Sequence, residues 1–262
     1  GKLATSFNAL LELVADQEEL RAEQMTEIKA KNEELARSTH LKSQFLSMIS
    51  HELRSPLNSV MGYAELLLDE VDGKLNPEQR EDILAIKRSS DHLRRLIDDI
   101  LDLSKLEGGR MRVELRSVSL NEVVKESEAV IQPMVAQKGL LFAAVSESGE
   151  ILVRADRHRL RQVVINLLTN AAKFTEKGGV SVSIGHRPDG EGRILVTTTV
   201  TDTGIGIPPE RMGIIFESFT RANSYTGSKY GGTGLGLSIC RNLTRLMKGE
   251  ISATSVPGKG SE

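Results

Sequence analysis

The sequence is poor in aromatic residues, in cysteine and in long apolar runs, and each of these absences excludes a class of protein. It has no tryptophan, and aromatic residues make up only 3% of its 262 positions, which argues against the stacking platforms that bind single-stranded nucleic acid. Its single cysteine, Cys240, excludes an internal disulfide framework and fits a reducing compartment. No apolar run reaches membrane-spanning length, and no signal peptide opens the chain. We therefore expect a cytoplasmic segment without membrane contact, whose first residues resemble a cut inside a longer protein.

Charge is balanced along the chain, whereas glycine is not. The formal net charge is −2, and charged residues of both signs make up 27% of the sequence. This pattern indicates neither a nucleic-acid surface nor a membrane surface. Glycine is sparse before Gly108 and frequent after Gly178. The change predicts two architectures in one chain, with a hinge at residues 107–110.

The first 107 residues are patterned as helix. In residues 1–40, apolar side chains recur at multiples of seven beside a polar seam. This predicts a weak coiled coil that transmits a signal, with a solvated connecting helix as the alternative. Residues 41–107 carry a stronger apolar stripe, broken by glycine and proline at 71–77, and this is typical of an antiparallel helical hairpin. Because one hairpin buries only one stripe, we expect a homodimer that completes a four-helix bundle.

The chain after the hinge alternates between strand and helix patterns. The predicted elements are a strand at 111–115, a helix capped by Ser119 and ending at Lys138-Gly139, strands at 140–145 and 151–155, a helix from Asp156 to about Lys173, a hairpin of strands at 180–186 and 193–201, a helix at 234–247 and a strand at 250–256. A glycine-rich irregular segment spans 202–233. This mixture predicts an α/β sandwich over residues 108–262.

The first motif that could carry chemistry centres on His51. The residue falls between the apolar positions Ile49 and Leu53, so its imidazole should face outward, where it could accept a phosphoryl group. The adjacent Glu52 could accept the proton of the other ring nitrogen and raise the nucleophilicity of the ring. Pro56 removes a backbone donor and predicts a local loosening after His51. The spacing is not that of an HExxH zinc protease, and an idle surface pair is the alternative.

A second motif places two asparagines on one face of a helix. Asn166 and Asn170 lie one turn apart, and their carboxamide oxygens could ligate one hard cation such as Mg²⁺. Lys173 lies about one turn further along and could reach a phosphate group. Ordinary amides on a helix surface are the alternative.

Two glycine-rich segments could enclose a nucleotide. In the first, a strand delivers Asp202 into a turn, where its carboxylate could accept a hydrogen bond from an exocyclic amine such as that of adenine. Small residues let the backbone of this turn pass close to a flat ring, and the candidates are Gly204, Gly206 and Ile207. The second segment opens a helix whose amides could hold phosphate oxygens, and its candidates are Gly232, Thr233, Gly234, Leu235 and Gly236. Neither segment is a dinucleotide fingerprint or a P-loop, and a plain flexible loop is the alternative for the second.

The stretch between these segments is a candidate lid. Phe216 and Phe219 could anchor a flap, while Arg221 and Lys229 could approach the terminal phosphate. We therefore add these four residues to the candidate nucleotide site, with Arg221 as a catalytic candidate.

In their order and spacing, the motifs resemble those of the sensor histidine kinases of two-component systems that carry a HisKA-type dimerisation domain. The matching segments are the H box at 51–56, the N box at 166–173, the G1 box at 202–206, the F box at 216–219 and the G2 box at 232–236. The resemblance covers residues 40 to 260, nearly the whole chain. It implies domains at 1–40, 41–107 and 108–262, the last with the Bergerat (GHKL) ATP-binding fold.

The resemblance also implies a reaction. ATP and Mg²⁺ would be the cofactors, His51 would be phosphorylated, and the phosphoryl group would pass to an aspartate of a response-regulator receiver domain. ATPase relatives place a water-activating glutamate where Asn166 stands, and this difference favours transfer over hydrolysis. Ser55 stands where the family usually has Thr or Asn to orient a dephosphorylating water, so phosphatase activity is only weakly implied. A catalytically weak dimeric adaptor and a GHKL-type ATPase are the alternatives.

Overall fold

The computed structural model describes residues 2–71, 73–146, 149–188, 192, 194–220 and 233–262. The chain forms two compact units, one of residues 1–90 and 107–110, the other of residues 91–106 and 111–262. Within the described ranges, no helix combines the length and the apolarity that a bilayer crossing requires. The domain boundaries expected from the sequence remain a prediction.

The first unit contains a helical hairpin. Helix α1 spans Lys2–Leu68 with Pro56 inside it, and helix α2 spans Pro77–Glu107 and contributes its residues up to Ser90 to this unit. The predicted break and the predicted start of the second helix at Pro77 are confirmed. Asn76 and Gln79 form a reciprocal cap there, because each side-chain oxygen accepts a hydrogen bond from the other's backbone N–H, at 2.8 and 3.0 Å.

Ion pairs connect the two antiparallel helices. Lys87 contacts Glu65 at 2.9 Å, and Lys42 contacts Glu107 at 3.1 Å. As these pairs are exposed, each contributes at most about 1 kcal/mol to stability. Several large apolar side chains of the hairpin remain exposed, namely Leu53, Val60, Leu66, Leu67, Leu84 and Ile86. A single hairpin thus leaves much of its apolar surface uncovered.

The second unit is built on two sheets. Strands β1 (Arg116–Ser119) and β3 (Leu152–Ala155) form an antiparallel pair. The larger sheet has the order β2-β4-β5-β7-β6, formed by Leu141–Ser146, Gly179–Pro188, Ile194–Asp202, Gly260–Ser261 and Ser255–Val256. β2 and β4 are parallel, and the predicted hairpin of β4 and β5 is confirmed.

Helices pack on this sheet, and the predicted α/β sandwich is confirmed. The helices of this unit are α3 (Leu120–Lys138), α4 (Arg157–Phe174), α5 (Pro209–Met212) and α6 (Gly236–Leu246), of which α3 and α4 pack on the large sheet and α6 packs on α4. One core lies between α3, α4 and the sheet, and includes Val123, Ile131, Leu168 and Val182, none more than 2% exposed. A second core joins α4, α6 and the end of α2 through Val163, Leu235, Ile239, Cys240, Leu243, Leu103 and Met111. Burial of each large aliphatic side chain contributes about 1.5–3 kcal/mol.

One predicted strand is wrong, and another is shorter than predicted. Residues 111–115 form no strand, because β3 offers pairing partners only from Arg116 onward. The alternation that suggested a strand arises because Met111 is buried in the second core. The strand predicted at 250–256 is confirmed only at Ser255–Val256, where β6 pairs with β7, and residues 250–254 lie outside it.

Candidate functional site

His51 projects into solvent from the middle of α1. Its side chain is 84% exposed, and its Nδ1 lies 4.0 Å from Oε1 of Glu52. This distance exceeds that of a hydrogen bond, so the two side chains are adjacent but unbonded. The Nδ1 edge of the ring therefore faces Glu52. Ser55, one turn further along, is also exposed.

An open groove runs beside His51 in the first unit. It is lined by Leu41, Gln44, Phe45, Ser47, Met48, Glu52 and Arg110 in addition to His51. The apolar members Leu41, Phe45 and Met48 are each more than half exposed. A reactant can approach the ring from this side without displacing the protein core.

Helix α4 presents the two candidate asparagines. Asp156 starts this helix by accepting a hydrogen bond from the backbone N–H of Arg159 at 3.2 Å, as predicted. Asn166 and Asn170 are both half-buried, on the face that points away from the fully buried Leu168. Lys173 holds its ammonium 5.1 Å from the centre of the Phe174 ring, a cation–π contact.

Asn166 is seated on the start of α6. A Cβ atom at Gly236 would lie 2.7 Å from both the oxygen and the nitrogen of the Asn166 carboxamide. The nearby Cys240 thiol donates to the Val163 carbonyl at 3.9 Å, and burial raises its pKa to about 12. Cys240 is 1% exposed, so the prediction that it is a small buried residue is confirmed. The absence of a side chain at Gly236 therefore leaves the space that the Asn166 carboxamide occupies.

The turn into α6 is held by its own polar groups. Thr233 Oγ1 accepts a hydrogen bond from the backbone N–H of Leu235 at 3.0 Å. Gly234 adopts a φ of 70°, which favours glycine, and its carbonyl accepts from the Phe219 N–H at 3.0 Å. This bond ties the candidate lid's Phe219 to the helix start. Arg221, Lys229 and Gly232 lie outside the described residues.

Asp202 ends β5 in a partly desolvated position. Its Oδ1 accepts a hydrogen bond from the Gly204 N–H at 2.8 Å. Burial raises the pKa of this carboxyl, and hydrogen bonds from Gly204 and Ser261 offset part of the rise. A carboxylate held in this way can still accept from an amine through its other lone pairs.

The turn after Asp202 has no room for side chains at its glycines. A Cβ atom at Gly204 would collide with the carbonyl oxygen of Phe174, and one at Gly206 would collide with the backbone of Val256. Gly206 also adopts a φ of 68°. The N–H of Ile207 donates to Ser255 Oγ at 2.8 Å. These close approaches show that the turn packs tightly against the end of α4 and against β6.

The candidates divide between the two units. His51, Glu52 and Ser55 belong to the first, and every other candidate belongs to the second. In the second unit, α4 meets the α6 start through Asn166 and Gly236, and meets the Asp202 turn through the bond from the Ile205 N–H to the Phe174 carbonyl, at 3.3 Å. Phe216 is half-buried, whereas Phe219 is 67% exposed.

Two carboxylates near the site were missed from the sequence. Asp99 of α2 accepts a hydrogen bond from Thr233 Oγ1 at 3.3 Å. Asp102 accepts from Arg159 at 3.1 Å and from Gln162 at 2.7 Å. Both acids lie beside the apolar stripe of α2 in the sequence. This position could have indicated their role, because an acid at the edge of a buried helix face often bonds a polar group of the element that covers the face.

Asp99 should make the stability of the protein depend on pH. Burial, partly offset by the Thr233 hydrogen bond, raises the pKa of Asp99 from its ordinary 3.8 to about 6. The folded state therefore binds the proton more tightly than the unfolded state, and stability falls as pH rises from about 4 through 6. We expect Asp99→Asn to raise the free energy of unfolding at pH 7.5 by on the order of 1 kcal/mol, allowing for solvent screening.

Urea unfolding at pH 4.5 and 7.5 measures this effect. The substituted asparagine side chain would keep an acceptor for Thr233, so the gain should be larger at pH 7.5 than at pH 4.5. Asp82→Asn, at an exposed position of the same helix, serves as the control. Equal gains at the two pH values would show that ionisation of Asp99 carries no cost.

Comparison with known proteins matches each half of the chain to a protein family. Residues 41–109 match the His Kinase A (phospho-acceptor) domain, and residues 155–262 match the histidine kinase-, DNA gyrase B- and HSP90-like ATPase family. The autoinducer 2 sensor kinase/phosphatase LuxQ of Vibrio cholerae is 36% identical over 241 residues, which are 92% of this chain and 28% of LuxQ. The signal transduction histidine-protein kinase BarA of Escherichia coli is 36% identical over 247 residues, 94% of this chain and 26% of BarA.

Solved structures agree with these matches. The full-length ShkA structure, in complex with AMPPNP, superposes with a TM-score of 0.68 at 34% identity, over 83% of this chain and 44% of ShkA. The histidine kinase AdeS of Acinetobacter baumannii shares the fold, with a TM-score of 0.54 at 23% identity. The chain spans between about a quarter and a half of the length of LuxQ, BarA and ShkA.

Proposed function

Because the chain belongs to the sensor histidine kinases of two-component systems, we propose that it transfers the γ-phosphoryl group of ATP to its own His51. The observation that carries the proposal is the exposed imidazole of His51, with its Nδ1 edge facing Glu52, within the segment that matches the phospho-acceptor domain. This arrangement leaves Nε2 free to attack. The ATP-binding unit of the same chain supplies the other reactant.

The proposed step breaks one bond and forms one. The Nε2 lone pair attacks the γ-phosphorus, the bond from that phosphorus to the bridging oxygen breaks, and ADP leaves with the bond's electron pair. Glu52 accepts a hydrogen bond from the Nδ1–H after a small side-chain rotation and so balances the positive charge that develops on the ring. Phosphoryl transfer depends mainly on positioning and charge neutralisation.

The nucleotide would be held by the second unit. Asp202 would accept a hydrogen bond from the adenine amine, and the backbone of the turn at Gly204, Gly206 and Ile207 would lie along the ring. The amides at the start of α6 would receive the phosphates, together with Lys173 and, from outside the described residues, Arg221 and Lys229. Bound Mg²⁺ would neutralise charge on the phosphate oxygens.

Asn166 and Asn170 are the proposed ligands for Mg²⁺. Their carboxamide oxygens have the hardness that this ion prefers, and the seat on Gly236 fixes the position of Asn166. An amide cannot take a proton from water as a carboxylate can. This chemistry supports transfer to His51 over hydrolysis, and it disfavours a simple ATPase.

The proposal extends to the binding partners of the chain and to the roles of its domains. The phosphoryl group would pass from His51 to an aspartate of a response-regulator receiver domain, while the exposed apolar face of the hairpin would be covered by a second copy in a four-helix bundle. Residues 1–40 would transmit a signal, 41–107 would dimerise and accept phosphate, and 108–262 would bind ATP. Since His51 and the ATP site belong to different units, the hinge near Gly108 and Gly109 would have to bring them together.

The proposal is tested with γ-labelled ATP. We expect the chain to gain label that acid removes and base does not, as a phosphoramidate does, and we expect EDTA to abolish the gain. Release of labelled phosphate without labelled protein would identify an ATPase instead. Binding of ATP with neither product would identify a nucleotide-binding adaptor. Either outcome would overturn the kinase assignment for this chain.

A further inference from the structure

The ammonium group of Lys138 closes the C-terminal end of α4. Lys138 is the last residue of α3, and its Nζ donates hydrogen bonds to the carbonyl oxygens of Ala172, Lys173 and Thr175, at 2.7, 2.8 and 3.1 Å. An ammonium has three N–H donors, and each of them meets one of these carbonyls. Ala172 and Thr175 are fully buried residues.

These bonds complete the hydrogen bonding of the helix end. The last carbonyls of a helix have no partner within it and must find one elsewhere. The Ala171 carbonyl accepts from the Thr175 N–H at 3.1 Å, and the Phe174 carbonyl accepts from the Ile205 N–H at 3.3 Å. Lys138 serves the remaining ones, and its positive charge lies at the negative end of the helix dipole.

The same helix end joins the two halves of the proposed nucleotide site. Asn170 and Lys173 lie in the last turn of α4, on the proposed phosphate side. The Phe174 carbonyl touches the Asp202 turn on the proposed adenine side, because it bonds Ile205 and leaves no space for a Cβ at Gly204. Movement of this end would therefore displace both sides of the site together.

We infer that Lys138 is a positioning residue for ATP, which holds the end of α4 so that Asn170, Lys173 and the Asp202 turn keep their spacing. The inference rests on the proposed function. Lys138 itself would touch no part of the nucleotide, since its donors are directed at the three carbonyls. An ordinary surface lysine would stabilise the fold without any effect on ligand affinity, and the experiment must separate these roles.

The test uses Lys138→Met in the full chain, because methionine keeps much of the aliphatic length and removes all three donors. Lys125→Met is the matched control, since Lys125 is an exposed lysine of the same helix. Titration calorimetry with Mg-ATP is carried out well below the unfolding temperature of each variant. We expect about tenfold weaker binding for Lys138→Met, as charged hydrogen bonds are lost, and wild-type affinity for Lys125→Met.

A double-mutant cycle with Asn170→Ala then tests whether Lys138 acts through the helix end. If it does, Lys138→Met should weaken Mg-ATP binding less in the Asn170→Ala background than in the wild type, because one of the groups it positions is already absent. Lys138→Met with wild-type affinity, or two losses that multiply independently, would overturn the positioning role and leave the kinase proposal intact. A wild-type chain that binds no Mg-ATP would overturn both.

Discussion

A His51→Gln variant is expected to bind ATP with wild-type affinity and to gain no acid-labile phosphate. Glutamine is uncharged and comparable in length to histidine, but its amide nitrogen has no lone pair available for attack on phosphorus. Because the nucleophile itself is removed, the rate of phosphorylation should fall by at least about 1,000-fold. The side chain is 84% exposed on a long helix, so the substitution should leave the free energy of unfolding almost unchanged.

Other histidines of the chain supply the controls for this variant. His92 and His158 are also exposed, and neither lies in a matched motif. His92→Gln and His158→Gln should therefore gain label at the wild-type rate. Label that persists in His51→Gln with the same acid lability would place the acceptor on another residue. If His51→Gln also loses ATP binding, the substitution has disturbed the fold, and the missing label would not identify His51 as the acceptor.

Local signals in the sequence predicted local structure well. Ser119 caps α3 through the Glu122 N–H, and Gly139 ends that helix with a φ of 64°, both as expected from residue type. The hairpin of β4 and β5 followed from β-branched residues around a turn. The strand predicted at 111–115 failed because alternation reports which side chains are buried and does not report whether a second strand lies opposite.

The connections that shape the candidate site could not be predicted in the same way. Lys138 meets Ala172, Asp99 meets Thr233, and Gly236 supports Asn166, yet each pair joins elements far apart in the sequence. Each residue type is compatible with many partners, so spacing alone selects none of them. The sequence motifs indicated which residues could bind a nucleotide, whereas the packing of α4 against its neighbours determines where those residues lie.

Gly236→Ala is expected to slow phosphorylation of His51 with little change in the stability of the protein. A methyl group at this position would lie 2.7 Å from both polar atoms of the Asn166 carboxamide. Those atoms are the free end of a short side chain, so they can rotate away at little cost to the fold. Gly236 is the first residue of α6, where alanine is intrinsically favoured over glycine by up to about 1 kcal/mol. We therefore expect stability to change by less than about 1 kcal/mol.

The displaced carboxamide would no longer offer its oxygen to Mg²⁺ in the proposed geometry. We expect the rate of His51 phosphorylation to fall by on the order of 100-fold, by analogy with the loss of one electrostatic group at a reacting centre. The rate of labelling at saturating Mg-ATP and the urea unfolding midpoint measure the two effects separately. Gly213→Ala is the matched control, because Gly213 has a φ of −66° and open space around its Cβ position.

A second substitution shows whether Gly236 acts through Asn166. When Asn166→Ala removes the carboxamide, the methyl group at position 236 has nothing left to displace, so the double variant should be no slower than Asn166→Ala alone. A further loss in the double variant would mean that the α6 start itself needs glycine, for close approach of the phosphates to its backbone. Wild-type phosphorylation by Gly236→Ala would show that Asn166 is not needed at its present position, and the proposed Mg²⁺ site would then have to rest on Asn170.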